Sequence, residues 1–175
     1  MKILVAYGSL EGHSRTIAEH IRELVEQAGH AGRFVSITEA TGPIADDIAL
    51  AFFCAPVHQG SYPEAFETTI RRWTDRLAYL PDAFVSVSLT AAGPPGHLAE
   101  LDRFVQDMSG RTGWKPDRVH HAAGALKFSE YGPIKRWMMR QIARANGYTG
   151  REDKEFTDWP ALDRFVEESL ADLPR

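Results

Sequence analysis

The sequence predicts an α/β domain built on one five-stranded parallel sheet with helices on both faces. Three observations predict it. Apolar runs of strand length alternate with stretches of helical periodicity along most of the 175 residues. The run Ile48-Ala49-Leu50-Ala51-Phe52-Phe53-Cys54 is apolar on both of its faces, which suits an inner strand of a parallel sheet. Three loops, Gly8 to Ser14, Pro56 to Tyr62 and Thr90 to Gly96, follow strands at the ends where ligands of such sheets sit.

Taken in order, Ile3-Leu4-Val5-Ala6-Tyr7 is the first strand. Arg15 to Ala28 is helical, with Ile17, Ile21, Leu24, Val25 and Ala28 on one face. Arg33 to Ile37 is a short second strand, and the third lies within Asp47 to Val57. Pro63 to Leu80 is a helix with Phe66, Ile70, Trp73, Leu77 and Leu80 on one stripe. Pro63 suits its first turn and Pro81 stops it. Ala83 to Leu89 is the fourth strand, and Leu98, Leu101, Val105 and Met108 mark a third helix. Val119 to Leu126 is the fifth strand. Thr157-Asp158-Trp159-Pro160 opens a last helix, with Leu162, Phe165, Val166 and Leu170 facing inward. Both doubly wound strand orders accommodate this succession, and the set of loops favours the order 2-1-3-4-5. The length and the absence of repeats or linkers give a single domain, 1–175.

One stretch, about 127–156, interrupts the alternation. It holds a helix, roughly Gly132 to Asn146, with Ile134, Trp137, Met138, Ile142 and Ala145 on one face. Lys135, Arg136, Arg140 and Arg144 fall mostly elsewhere on its circumference. Between Lys127 and Lys154 there are seven basic residues against three acids, a local +4. The net charge is −4, so the remainder carries −8. A basic amphipathic segment on an acidic chain points to an anionic lipid surface or an anionic substrate. The overall charge argues against a whole-surface nucleic-acid binder.

A single cysteine, Cys54, excludes an internal disulfide, fits a reducing cytosol and lies in a core strand. No run approaches the roughly 20 apolar residues that span a bilayer. No secretory leader is expected, because Lys2 leads into only five apolar residues before Gly8.

The chemistry is read from the first loop, Ser9-Leu10-Glu11-Gly12-His13-Ser14. A small hydroxyl-rich loop opening a helix gathers unpaired amides and the positive end of the helix dipole. Ser9 and Ser14 add hydroxyl donors, and Gly12 permits close approach. The loop has no P-loop lysine and no three-glycine dinucleotide fingerprint, so it suits a tightly held mononucleotide better than a hydrolysed triphosphate. The alternative is an ordinary strand-to-helix turn with Ser14 as its cap.

No metal site is expected. His58 shares no helical spacing with a second ligand, and His120-His121 point to opposite faces of a strand. Asp46-Asp47 precede the third strand, not the first, which removes a phosphoryl-receiver reading.

These residues resemble a family. Residues 1–126 with 157–173 resemble a flavodoxin. The interrupted stretch resembles the bacterial flavodoxin-like, menaquinone-dependent protoporphyrinogen oxidases. The likeness is carried by Trp114-Lys115-Pro116-Asp117-Arg118, by Ala123-Gly124-Ala125-Leu126-Lys127-Phe128 with Tyr131, and by Thr157-Asp158-Trp159. Glu11-Gly12 in the first loop also fits; ordinary flavodoxins usually have Thr at that place.

The resemblance implies a flavodoxin-like fold and FMN as cofactor, with its phosphate on Ser9, Leu10, Glu11, Gly12, His13 and Ser14. Its ring would lie between Pro56, Val57, His58, Gln59, Gly60 and Tyr62 on one side and Thr90, Ala91, Ala92 and Gly93 on the other. His58 and Tyr62 are the candidate stacking or catalytic side chains, and Gly60 the candidate for a peptide flip. The implied reaction is six-electron oxidation of protoporphyrinogen, two electrons at a time, with menaquinone or another quinone as acceptor. Lys127, Lys135, Arg136, Trp137, Arg140 and Arg144 would meet substrate carboxylates or anionic lipid, at the inner face of the cytoplasmic membrane. The chain departs from the family at His58-Gln59, where a basic-aromatic pair is usual. A plain electron carrier and a flavin-free regulatory module are the competing functions.

Overall fold

The computed structural model describes residues 1–8, 12–40, 42–93, 97–126, 140, 143–144, 147–149 and 152–173. In chain order they form β1 (Lys2–Tyr7), α1 (His13–Gln27), β2 (Ala31–Ser36), β3 (Ile48–Pro56), α2 (Glu64–Leu77), β4 (Asp82–Ser88), α3 (Leu98–Thr112), β5 (Arg118–Ala123), β6 (Ala125–Leu126), β7 (Lys154–Glu155) and α4 (Trp159–Ala171). The first five strands make one parallel sheet in the order β2-β1-β3-β4-β5, the flavodoxin-like one. Strand order reverses between β1 and β3, so the loops after those strands flank the crevice where ligands of such sheets bind.

Alternating side chains split the core into two layers. Leu4, Ala6, Phe53 and Phe84 meet Phe66, Ile70, Trp73 and Met108 on the α2–α3 face. Ile3, Val5, Phe52, Cys54 and Val85 meet Ile17, Ile21, Leu162 and Val166 on the α1–α4 face. β4 is buried at every position and β3 at nearly every one, as two central strands must be.

The motif 114–118 acts at the opposite end of the sheet from the loops. Trp114 stands edge-on to Phe53 and Phe84, at centroid separations of 5.0 and 5.4 Å, and its Nε1 donates to Asp82 Oδ2 at 2.7 Å. Asp117 N donates to Asp82 Oδ1 at 3.0 Å, and Asp82 N to Asp117 Oδ2 at 3.2 Å. The start of β4 is thereby tied to the segment entering β5.

The fifth strand is shorter than the apolar pattern predicts. It stops at Ala123, and Ala125–Leu126 pairs antiparallel with Lys154–Glu155 instead. Gly124 is the switch: its N donates to Ser88 O at 3.1 Å, while its O accepts from Phe156 N at 3.2 Å. One peptide leaves the parallel sheet and starts the ladder on which the inserted stretch departs and returns. The predicted helix 132–146 lies outside the described residues, apart from Arg140, Ala143 and Arg144, which are helical. Among the described residues no helix is long and apolar enough to cross a membrane.

The β2–β3 connection carries no helix. Arg72 and Trp73 of α2 hold it as a strap, donating to Ala40 O at 3.0 Å and Gly42 O at 2.9 Å. A cavity of about 160 Å³ lies beneath it, against Leu4, Ile44, Ile48 and Trp73. None of the three candidate loops lines that cavity.

Candidate functional site

Three loops meet at the carboxyl ends of β1, β3 and β4. The first is described only at its ends. Gly8 N donates to Cys54 O at 2.8 Å, carrying the pairing of β1 and β3 to the loop's edge. Ser9, Leu10 and Glu11 lie outside the described residues. Gly12 has φ 85° and caps α1, which glycine alone adopts without strain. Gly12, the N-cap residue, has no side chain with which to cap α1, and no acid occupies the helix's first turn. Ser14 is therefore not the cap that the ordinary-turn alternative required; it is buried inside the first turn. A helix N-terminus whose own first turn carries no acid suits an anion.

His13 is fixed from the far end of the chain. Its Nε2 lies 2.9 Å from Thr157 Oγ1, and that hydroxyl donates to Ala123 O at 2.8 Å. With its proton committed to the carbonyl, Thr157 accepts from His13, so Nε2 carries the imidazole proton.

The second loop is a tight hairpin. His58 N donates to Ser61 O at 2.8 Å, and Ser61 N to His58 O at 3.1 Å. The two central residues, Gln59 and Gly60, have φ of 50° and 78°, the positive pair of a type I′ turn. Gln59 is the one non-glycine residue with positive φ among those described. A Cβ on Gly60 would come within 3.2 Å of Phe104 Cε1 from α3. His58 Nε2 is buried and has no hydrogen-bond partner, and such an atom lowers its cost when a ligand supplies one.

Tyr62 departs from the expectation of an exposed stacking ring. It is only 4% exposed and packs against Phe66 and Phe84. Its hydroxyl lies 2.7 Å from Ser86 Oγ, and burial pushes its pKa well up. Tyr62 supports the hairpin from below and presents no face to a ligand; an aromatic residue ending a loop was as compatible with the core as with the surface.

The third loop begins as the 3₁₀ turn Leu89–Ala92. Ser88 Oγ accepts from Ala91 N at 3.2 Å, and Gly93 N donates to Thr90 O at 3.0 Å. A Cβ on Gly93 would lie 2.6 Å from His97 Nδ1, so a larger residue there would have to displace the His97 ring. His97 Nδ1 is a second buried nitrogen without a partner.

Of the candidates for substrate or lipid contact, Lys127, Lys135, Arg136 and Trp137 lie outside the described residues, Arg140 is half-buried and Arg144 is exposed. The return of the insert packs Tyr148 and Phe156 with Leu89 and Ala143, so it covers the loop after β4. His120 and His121 point to opposite faces as read from the alternation. His120 stacks on Phe165 of α4 at 5.2 Å, and burial lowers its pKa. His121 Nε2 lies 2.9 Å from Asp102 Oδ1 of α3. Cys54 is buried in β3, where burial pushes its thiol up and leaves it inert.

Sequence reasoning assigned no site role to His97, Phe104, Lys154 or Thr157. Thr157 lay in a motif whose fit to the family was visible but whose contact with His13 was not. Phe104 lies on the amphipathic face of α3 and carries no local signal that it meets Gly60.

The chain matches the flavodoxin domain model over residues 4–153. It is 26% identical to the Escherichia coli K12 protein named protoporphyrinogen IX dehydrogenase [quinone], covering 99% of this chain and 98% of that one. A Leishmania major protein of the same name is 27% identical, covering 97% of this chain and 75% of that protein. Among solved structures, a Streptococcus pneumonia TIGR4 flavodoxin superposes with a TM-score of 0.56 at 14% identity, over 99% of this chain and 100% of that one. This last likeness concerns the fold.

Proposed function

This chain belongs to the flavodoxin domain family, and from that premise we propose that it is an FMN-dependent oxidoreductase that oxidises protoporphyrinogen IX to protoporphyrin IX and passes the electrons to a quinone. One observation supports the reading: the start of α1, the His58–Ser61 hairpin and the Leu89–Gly93 turn lie at one sheet edge, where Tyr148 and Phe156 of the returning insert share Ala143 with Leu89. The relatives named for this activity match across that insert as well as the sheet.

The residues present fit FMN. The acid-free first turn of α1, entered through the left-handed Gly12, would face a phosphate together with Ser9, Leu10, Glu11, His13 and Ser14. His13, held by Thr157, sets where that turn stands. The isoalloxazine would sit between 56–60 and 90–93, with His58 Nε2 as the buried polar atom that gains a partner. When bound, FMN supplies the two-electron redox chemistry. The chain itself orients the ring through loop amides, excludes water with Leu89, Tyr148 and Phe156, and offers His58 Nε2 as a site to hold a proton.

The basic insert serves the two partners that the reaction needs. Arg140, Arg144 and the basic residues before them would meet substrate carboxylates or anionic headgroups, placing the protein peripherally on the inner face of the cytoplasmic membrane, where menaquinone or another quinone is reached. The test is FMN uptake followed by anaerobic porphyrinogen oxidation with a menaquinone analogue. Porphyrin fluorescence rising above the uncatalysed rate supports the proposal. FMN uptake without that rise leaves an electron carrier, and no FMN uptake removes both.

A further inference from the structure

The return of the insert holds one ammonium between two rings. Lys154 Nζ lies 5.2 Å from the ring centroid of Tyr148 and 5.0 Å from that of Phe156. The rings meet edge to face, with centroids 5.4 Å apart. Both pack on Ala143, as does Leu89, the first residue of the turn after β4. Phe156 N is tied to Gly124 O and Gly124 N to Ser88 O, so Lys154 stands at the same sheet edge as the candidate ring loops.

Other cations of this chain are held by acids or, like Arg72 and Arg76, by backbone carbonyls. Arg111 grips Glu67 with bonds of 3.0 and 2.6 Å. Arg118 pairs with Glu168 and Asp172, and Lys2 with Asp47. Lys154 is positioned by ring faces instead, it is exposed, and no carboxylate among the described residues lies within ion-pair distance of it. Ring faces restrict the stem of a lysine while leaving its charge unneutralised. An oriented, unneutralised cation beside a redox site is what recognition of an acidic substrate requires.

We propose that Lys154 is a specificity determinant: its ammonium pairs with one carboxylate side arm of the tetrapyrrole substrate. The proposal rests on the porphyrinogen reading above. It involves only a charge-assisted hydrogen bond, and no group is transferred. Lys154→Met keeps the stem on the two rings and removes the charge. Lys154→Arg restores the charge on a planar head that also stacks on rings.

The test compares FMN-loaded wild type, Lys154→Met and Lys154→Arg, titrated with protoporphyrin IX and with its dimethyl ester, followed by quenching of tryptophan fluorescence. Lys154→Met should weaken binding of the diacid about tenfold, as loss of one charge-assisted contact does, and leave the ester unchanged. Lys154→Arg should bind the diacid like wild type. Equal affinity of wild type and Lys154→Met for the diacid, or an equal loss for diacid and ester, overturns the assignment. If that happens in a protein that still oxidises porphyrinogen, the proposed function stands and only the role of Lys154 falls. If wild type binds neither compound and turns over nothing, both fall.

Discussion

Thr157 and His13 are separated by 144 residues and joined by one hydrogen bond of 2.9 Å at the mouth of the first helix. The same threonine hydroxyl donates to Ala123 O, the last carbonyl of β5. A single side chain thus ties the first turn of α1, the end of the sheet and the return of the insert. Thr157→Val preserves the shape, strands the His13 donor and frees the Ala123 carbonyl. Stability should fall by about 1–2 kcal/mol in urea unfolding, and FMN should bind several-fold more weakly, whereas Thr157→Ser should retain both. FMN affinity unchanged in Thr157→Val would separate this contact from the phosphate turn.

Asp82 sets a pH dependence. Two donors, Trp114 Nε1 and Asp117 N, favour its charged form, but burial outweighs them and pushes the carboxyl up to about 6. The folded protein therefore holds this proton more tightly than the unfolded chain, whose carboxyl titrates near 3.8. The contribution is fully present below that value, is lost as pH rises towards about 6, and is constant above it. Wild type should lose up to about 3 kcal/mol across this window relative to Asp82→Asn, which cannot titrate. Denaturant unfolding of both at mildly acidic and neutral pH measures the difference. Parallel profiles would contradict a buried, protonatable Asp82.

The hairpin under the candidate ring makes a contrasting pair. Gly60→Ala combines positive φ with a contact of 3.2 Å to Phe104, so it should cost about 1–3 kcal/mol and weaken FMN binding. Gln59→Gly removes the left-handed strain of its neighbour at a small entropic cost, so it should change stability by less than about 1 kcal/mol. Thermal unfolding and flavin fluorescence titration report both. Equal behaviour of the two variants would mean that the turn is not strained as its dihedrals indicate.

Much of this arrangement was legible because it depends on local pattern. Ile48 to Cys54 had to be an inner strand, Pro63 and Pro81 bracketed α2, and Asp158 announced α4, where its carboxylate accepts from Ala161 N. What escaped depends on partners distant in sequence. Gly124 turns the end of the fifth strand because Ser88 O takes its N–H while Phe156 N–H takes its carbonyl. Tyr62 turned inward because Ser86 satisfies its hydroxyl. Of the candidate phosphate loop, Gly12, His13 and Ser14 are placed, while Ser9, Leu10 and Glu11 lie outside the described residues.

The insert makes a prediction about lipid. Each basic side chain near an anionic surface contributes about 1 kcal/mol. Reversing two of them, Arg136→Glu with Arg144→Glu, should weaken co-sedimentation with phosphatidylserine-containing vesicles by about tenfold or more and leave neutral vesicles unaffected. Undiminished binding to anionic vesicles would assign the basic residues to some other partner.

The most direct measurement is anaerobic turnover of the FMN-loaded protein with protoporphyrinogen IX and a menaquinone analogue, recording porphyrin and quinol together. The two products should rise together, in the fixed ratio set by six electrons delivered in pairs, and only when protein, FMN and quinone are all present. Porphyrin forming at the uncatalysed rate, or forming without quinol, would contradict a porphyrinogen-oxidising, quinone-reducing enzyme.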